Sequence, residues 1–175
     1  MNLQFDNYQI RQFQFDDIEA LVKYGNNYSV SRFLRDTFPY PYTKENAIQW
    51  IDYVQKNNLA LSYAIANDQE VIGGIGAIRY DDVQRFTAEV GFWLGVPFWN
   101  KGITGKALKL FCNYLFTNYN FNRLTAKVYH GNDASRKVLE KTGFVLEGIE
   151  KKAVYKENNF LDLYLYGLLK EDFKI

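Results

Sequence analysis

The chain has one cysteine, one histidine and one methionine in 175 residues. With Cys112 alone, no intramolecular disulfide can form, and a reducing compartment fits. One imidazole, His130, beside one thiol cannot assemble a zinc site, and no motif supports a Ser–His–acid triad. Charge of neither sign dominates. The net charge of +1 argues against a nucleic-acid binder, which would carry a basic face. No apolar run approaches the ~18 residues needed to span a membrane. The opening residues 1–6 lack the basic segment and apolar stretch of a signal peptide. These shortages predict a cytoplasmic protein without a metal, a nucleic-acid partner or a membrane partner.

Aromatic side chains are abundant, at 18%, which predicts broad aromatic surfaces lining a cleft or an interface. A second copy of the chain is a candidate partner for such a face. The hydrophobic share of 47% suits a folded chain with a sizeable core, read as one domain over residues 1–175.

Alternation predicts a first strand at residues 8–13. Asp16 or Asp17 could cap the helix that follows, with Ile18, Leu21 and Val22 on its apolar face. Residues 26–42 read as irregular and aromatic. Thr43 has the position of an N-cap before a second helix at residues 46–54. Three alternating runs, 61–66, 71–80 and 87–94, are joined by short polar turns and predict antiparallel neighbours. A helix with Leu108, Phe111 and Leu115 on one face comes next, then a strand at 124–129. Strand, helix and strand of these lengths predict a parallel crossover. Asn132-Asp133-Ala134-Ser135 opens a further helix that Gly143-Phe144 closes. Residues 145–155 and 160–169 finish as a hairpin. The fold class is α/β: a mixed, mostly antiparallel sheet with one parallel crossover and about four helices.

The most informative stretch joins the run Glu89-Val90-Gly91-Phe92-Trp93-Leu94 to the long helix through Trp99-Asn100-Lys101-Gly102-Ile103-Thr104-Gly105-Lys106-Ala107-Leu108. Glycines at a strand-to-helix corner leave backbone N–H groups pointing outward, and the helix dipole makes the place locally positive. Such a corner suits a phosphate-bearing ligand. The glycine spacing is not that of a Walker A loop, and Gly73-Gly74-Ile75-Gly76 lies within a strand, which argues against a dinucleotide fingerprint.

These two blocks, with Asn132-Asp133-Ala134-Ser135 and Glu140-Lys141-Thr142-Gly143-Phe144 after them, resemble the Gcn5-related N-acetyltransferases, and among them the ribosomal-protein (Rim-type) branch. The resemblance covers most of the chain and implies acetyl-CoA as donor. It implies that the backbone of Asn100, Lys101, Gly102, Ile103, Thr104, Gly105 and Lys106 holds the pyrophosphate. It further implies that the main chain of Phe92, Trp93 and Leu94 pairs with the pantetheine arm as an extra strand would, that Asn132 contacts the cofactor, and that Ser135 lies near the thioester sulfur. Two positions depart from the family. Trp99 stands where Gln or Arg is frequent, and Thr104 where a small residue is usual.

Amide formation from a thioester needs a neutral amine and an outlet for the thiolate. Glu89, on the strand leading to the thioester position, is the candidate base, directly or through water. Its alternative role is a sheet-surface ion pair. Ser135 is the candidate proton donor to the thiolate, against a local helix-opening hydrogen bond with Asn132. Tyr129 and Tyr164 are further candidate acids. His130 could face the substrate or simply cap the strand end, and Cys112 reads as core. Phe33, Tyr40 and Trp50 are the candidate acceptor-pocket residues, and Asp36 or Asp162 could attract an ammonium. The expected activity is direct transfer of an acetyl group to a primary amine, a protein N-terminus or a small amine, in a ternary complex. A non-catalytic acyl-CoA sensor and a polyamine- or antibiotic-detoxifying acetyltransferase are the alternatives.

Overall fold

The computed structural model describes residues 1–57 and 60–174. The chain divides into two compact units. One comprises Met1–Gly76 and Phe92–Ala107, the other Ala77–Gly91 and Leu108–Ile175.

The first unit opens with β1 (Asn2–Phe5) and β2 (Tyr8–Arg11), an antiparallel hairpin in which Phe5 pairs with Tyr8 across the two-residue turn Asp6-Asn7. Asp6 takes a positive φ of 45° there, a conformation that Asp and Asn adopt more readily than most residues. β1 has no counterpart in the sequence reading, and β2 stops at Arg11 where the alternation suggested Phe13. A single 3-10 turn, Phe15–Asp17, leads into α1 (Ile18–Gly25). Asp17 stands at the expected cap position but does not cap α1. Its carboxylate turns back to the Gln14 N–H at 2.8 Å and forms a two-pronged pair with Arg11 at 2.7 Å.

Four residues, Tyr28–Ser31, form α2, whose N-cap Asn27 accepts from the Ser29 N–H. This helix lies in the segment expected to be irregular and brings the α-helices among the described residues to five. α3 (Lys44–Lys56) begins as expected at Thr43, which exchanges hydrogen bonds with Asn46 in a capping box. β3 (Leu61–Ala66) pairs antiparallel with β2, Ile10 opposite Ile65, and β4 (Val71–Arg79) begins beside it in the order β1-β2-β3-β4. Ile10, Ala47, Ile51, Ile65 and Ile72 are completely buried and form the unit's core.

In the second unit β5 (Thr87–Leu94) starts parallel to β6 (Arg123–Tyr129), with Glu89 opposite Thr125. α4 (Ile103–Asn118) links the two strands in sequence, as the crossover pattern predicts. Its residues Leu108, Phe111, Cys112 and Leu115 are fully buried. α5 (Asp133–Lys141) ends at Gly143, with φ +100°. The Phe144 N–H returns to the Leu139 carbonyl at 3.0 Å, and the Gly143 N–H reaches that of Glu140 at 3.1 Å. Left-handed glycine is the cheap way to close a helix so. β7 (Val145–Lys156) and β8 (Asn159–Leu169) form a long hairpin about Glu157-Asn158, both at positive φ as a tight hairpin turn requires. The order here is β5-β6-β8-β7, with β6/β8 and β7/β8 antiparallel. The class is therefore mixed α/β with one parallel pair.

Candidate active site

The strand-to-helix corner lies in the first unit. β5 ends at Leu94, and the Gly95 N–H bonds the Ile72 carbonyl at 2.8 Å. Two glycines of β4 make room for this end of β5. A Cβ on Gly73 would collide with the Trp93 carbonyl oxygen, and one on Gly74 would stand 2.7 Å from the Trp93 indole nitrogen. A 3-10 turn, Val96–Phe98, follows, and then Trp99 reaches back so that its indole N–H donates to the Leu94 carbonyl at 2.6 Å. The unusual tryptophan thus closes the corner onto the strand. It also engages one of the carbonyls expected to face the pantetheine.

Asn100 (φ 59°) and Gly102 (φ 74°) carry the backbone through left-handed conformations into α4. The first helical bond runs from the Lys106 N–H to the Gly102 carbonyl at 3.2 Å. The N–H groups of Ile103, Thr104 and Gly105 precede it, in the first turn, where an α-helix offers them no intrahelical acceptor. A Cβ built on Gly102 or on Gly105 meets no atom within 4 Å. Protein packing therefore explains neither glycine's lack of a side chain. At Gly102 the positive φ does. At Gly105 the space above the backbone is open. Ile103 is 3% exposed and can offer only its backbone. Thr104 is half-buried. The Lys101 ammonium lies 5.7 Å from the centre of the Phe98 ring, and that of Lys106 lies 2.6 Å from the Asp6 carboxylate.

The three candidate acceptor-side aromatics belong to this unit too, each with its own partners. The Arg32 guanidinium lies 4.4 Å over Phe33. Tyr40 meets Tyr28 edge-on at 5.9 Å. Trp50 meets Phe13 edge-on at 6.3 Å and Tyr53 at 5.9 Å. Phe92 and Trp93 are half-buried, Trp93 against Phe38 at 5.5 Å.

The second unit holds the candidate proton-transfer groups. Glu89 is buried on β5. Its carboxylate accepts from the Tyr80 hydroxyl at 2.8 Å and pairs with the Lys127 ammonium at 3.0 Å. The hydrogen bond to Glu89 is the main cause holding the Lys127 pKa above its ordinary value, against partial desolvation. Neither Tyr80 nor Lys127 stood out in the sequence. The signal for Lys127 is register: Thr125 lies opposite Glu89, and the residue two further along β6 shares that face.

Asn132 caps α5, its side-chain oxygen accepting the Ser135 N–H at 3.2 Å. The local bond foreseen for this pair is present, made by the serine backbone. Beside it, Arg136 donates to the Tyr166 hydroxyl at 3.2 Å and covers the Tyr164 ring at 4.5 Å, while Tyr166 donates to Glu140 at 2.9 Å. His130 Nδ1 lies 3.1 Å from the Tyr164 hydroxyl. Asp162, a candidate for attracting an ammonium, already holds that of Lys151 at 2.9 Å and the Lys152 N–H. These contacts keep its carboxyl below the usual range. Cys112 is fully buried, and burial pushes its thiol pKa up, the opposite of a nucleophile's environment. No helix among the described residues is long and apolar enough to cross a membrane.

Residues 8–145 match the family model described as acetyltransferase (GNAT) domain. Among curated relatives, the uncharacterized N-acetyltransferase p20 of Bacillus licheniformis is 30% identical over 172 residues, covering 94% of this chain and 93% of that one. The ribosomal-protein-serine acetyltransferase of Escherichia coli is 28% identical over 114 residues, covering 65% of this chain and 63% of that protein. Among solved structures, a RimL ribosomal L7/L12 alpha-N-protein acetyltransferase in complex with coenzyme A superposes with a TM-score of 0.84 at 20% identity. That match covers 97% of this chain and 98% of the other, and shows a shared fold.

Proposed function

This chain belongs to the acetyltransferase (GNAT) domain family and is an acyltransferase; we propose that it moves an acetyl group from acetyl-CoA directly to a primary amine, with a protein N-terminal α-amine as acceptor. The observation that carries the donor assignment is the open space over Gly102 and Gly105 at the start of α4. Backbone N–H groups and the positive end of the helix dipole favour a diphosphate there. The residues present fit coenzyme A: the amides of Ile103, Thr104 and Gly105 would hold its diphosphate, and the strand end at Phe92 and Trp93 would pair with its amide-bearing arm. Acetyl-CoA supplies an activated acyl thioester. This chain's residues bind it, orient the amine and move two protons.

Glu89 takes a proton from the substrate ammonium, directly or through a water, and frees the neutral amine that attacks the thioester carbonyl. In the free protein its carboxylate is held by Lys127 and Tyr80. The cost of deprotonating the amine bears on the acceptor. A lysine side chain, with a reference pKa near ~10.4, costs roughly 4–5 kcal/mol to neutralise at pH 7, whereas an α-amine near ~8 costs only about 1 kcal/mol. The smaller cost favours the α-amine. Ser135, in the first turn of α5, is the proposed donor to the departing thiolate, and it regains a proton from the nitrogen, which sheds its second one as the amide forms. The protein substrate named for the two Rim-type relatives supports the same acceptor class. The buried, unreactive Cys112 accords with a reducing, cytoplasmic setting.

The test offers purified protein acetyl-CoA with two peptides. One has a free N-terminus and no lysine, the other a blocked N-terminus and one lysine. Thiol release is expected with the first and little or none with the second. Preference for the lysine peptide would overturn the acceptor assignment, and absence of coenzyme binding by calorimetry would overturn the donor assignment.

A further inference from the structure

The Lys106–Asp6 contact joins two segments a hundred residues apart in sequence. Lys106 lies in the first turn of α4, one residue after Gly105. Asp6 occupies the turn between β1 and β2, and its carboxylate stands 2.6 Å from the Lys106 ammonium. Both side chains are more than half exposed, 59% and 52%. Such a pair contributes little to stability and exchanges partners easily. It also puts a carboxylate beside the corner proposed to hold the diphosphate.

We propose that Asp6 is an affinity-setting residue for the coenzyme: it holds the Lys106 ammonium in the free protein and gives it up to a phosphate of the bound ligand. The inference rests on the corner's assignment as the diphosphate site. Two effects of Asp6 act in the same direction. Its carboxylate competes for the lysine, and it repels an incoming phosphate across a short, solvent-screened distance. Both weaken binding, which speeds release of the coenzyme product. Lys106 is thereby a conditional phosphate ligand, available in proportion to how readily Asp6 yields it.

Calorimetric titration with coenzyme A of the wild type, Asp6→Asn, Lys106→Met and the double variant tests this. Asparagine keeps the shape of Asp6 and tolerates φ 45°, so the turn is retained, and a thermal melt of each variant checks folding. Asp6→Asn is expected to bind coenzyme A about threefold to fivefold more tightly, from the size of an exposed ion pair. Most of that gain should vanish when Lys106→Met is present, the remainder being the direct repulsion. An unchanged or weakened affinity in Asp6→Asn overturns the proposal, and so does a gain that survives undiminished without the lysine, which would reflect the general field alone. Gly105→Ala in the same series separates the two levels. If it weakens binding while Asp6→Asn does nothing, only the role of Asp6 fails. If it leaves binding unchanged, or the wild type does not bind, the corner assignment fails and the role of Asp6 with it.

Discussion

Gly105→Ala gives two readouts of opposite sign, and that makes it the most exacting test of the corner. Gly105 is the third residue of α4 and has no positive φ to preserve. An added Cβ meets no protein atom within 4 Å. In the free protein the substitution should therefore stabilise, because alanine loses less backbone freedom than glycine on entering a helix. The full interior effect is about 0.5–1 kcal/mol. Near a helix start about half of that is a fair expectation, which for a chain of this size raises Tm by roughly 1–2 °C. The bound state should respond the other way. A methyl group in the space where a diphosphate must approach the backbone forces the ligand outward and lengthens its hydrogen bonds. Affinity for coenzyme A should fall at least about tenfold, or about 1.4 kcal/mol. Gly102→Ala cannot separate these effects. At φ +74° a side chain costs about 1–2 kcal/mol by itself, so lost binding could follow from a distorted loop. Differential scanning calorimetry of the free protein and titration calorimetry with coenzyme A read the two signs separately. A stabilised Gly105→Ala that binds coenzyme A within twofold of wild type refutes the corner as the diphosphate site.

Three other expectations follow from the same geometry. Glu89→Gln removes the proposed base and should lower kcat by at least about 100-fold with coenzyme affinity retained, since the partly exposed Lys127 can turn to water; a loss under tenfold would leave Glu89 as an ion-pair partner only. Asp17→Ala strands the Arg11 guanidinium, which Asp17 contacts twice at 2.7 Å, and frees the Gln14 N–H. The cost should be about 3 kcal/mol, read by urea denaturation, and a loss below about 1 kcal/mol would mean that water replaces the carboxylate. Burial pushes the Tyr42 phenol up to about 12. A raised acid is stabilising while it stays neutral, so its contribution is complete below the unfolded value near ~10 and is lost as pH climbs from there to about 12. Wild type should then lose about 2–3 kcal/mol relative to Tyr42→Phe between pH 9 and pH 12; equal losses would assign alkaline unfolding to other groups.

The strand-to-helix corner was legible as structure because its signals lie in consecutive residues. Gly102 and Gly105 lie next to an alternating strand and a periodic helix, and each of these signals is local. The capping box at Thr43 and the Gly143-Phe144 stop were legible for the same reason. The four residues of β1 were not. Leu3 and Phe5 alternate, but two apolar positions beside a terminus carry little periodic signal, and β1 is paired on one side only, to β2. α2 is a single turn held by the Asn27 cap, shorter than any window in which a 3.6-residue period can be counted. Asp17 misled for a different reason. Its carboxylate suits a helix cap, yet Arg11 six residues earlier outbids the helix for it.

Side-chain partnerships across strands are the part that sequence withheld. Glu89 on its own is one carboxylate in an alternating strand, and nothing beside it in the sequence names its partners. Only the β5/β6 register shows that Lys127 falls within 3.0 Å of it, and only the return of β4 brings Tyr80 to 2.8 Å. Both neighbours occupy the carboxylate in the free protein. Whichever group serves as base, at neutral pH the cost of deprotonation separates an N-terminal α-amine from a lysine side chain by about 3 kcal/mol. The proposed base is tied to its neighbours, and Lys127→Met, by removing the ammonium beside Glu89, should move the acid limb of the kcat/KM profile to higher pH. An acid limb that stays in place would show that Glu89 does not carry the proton, whatever its partners.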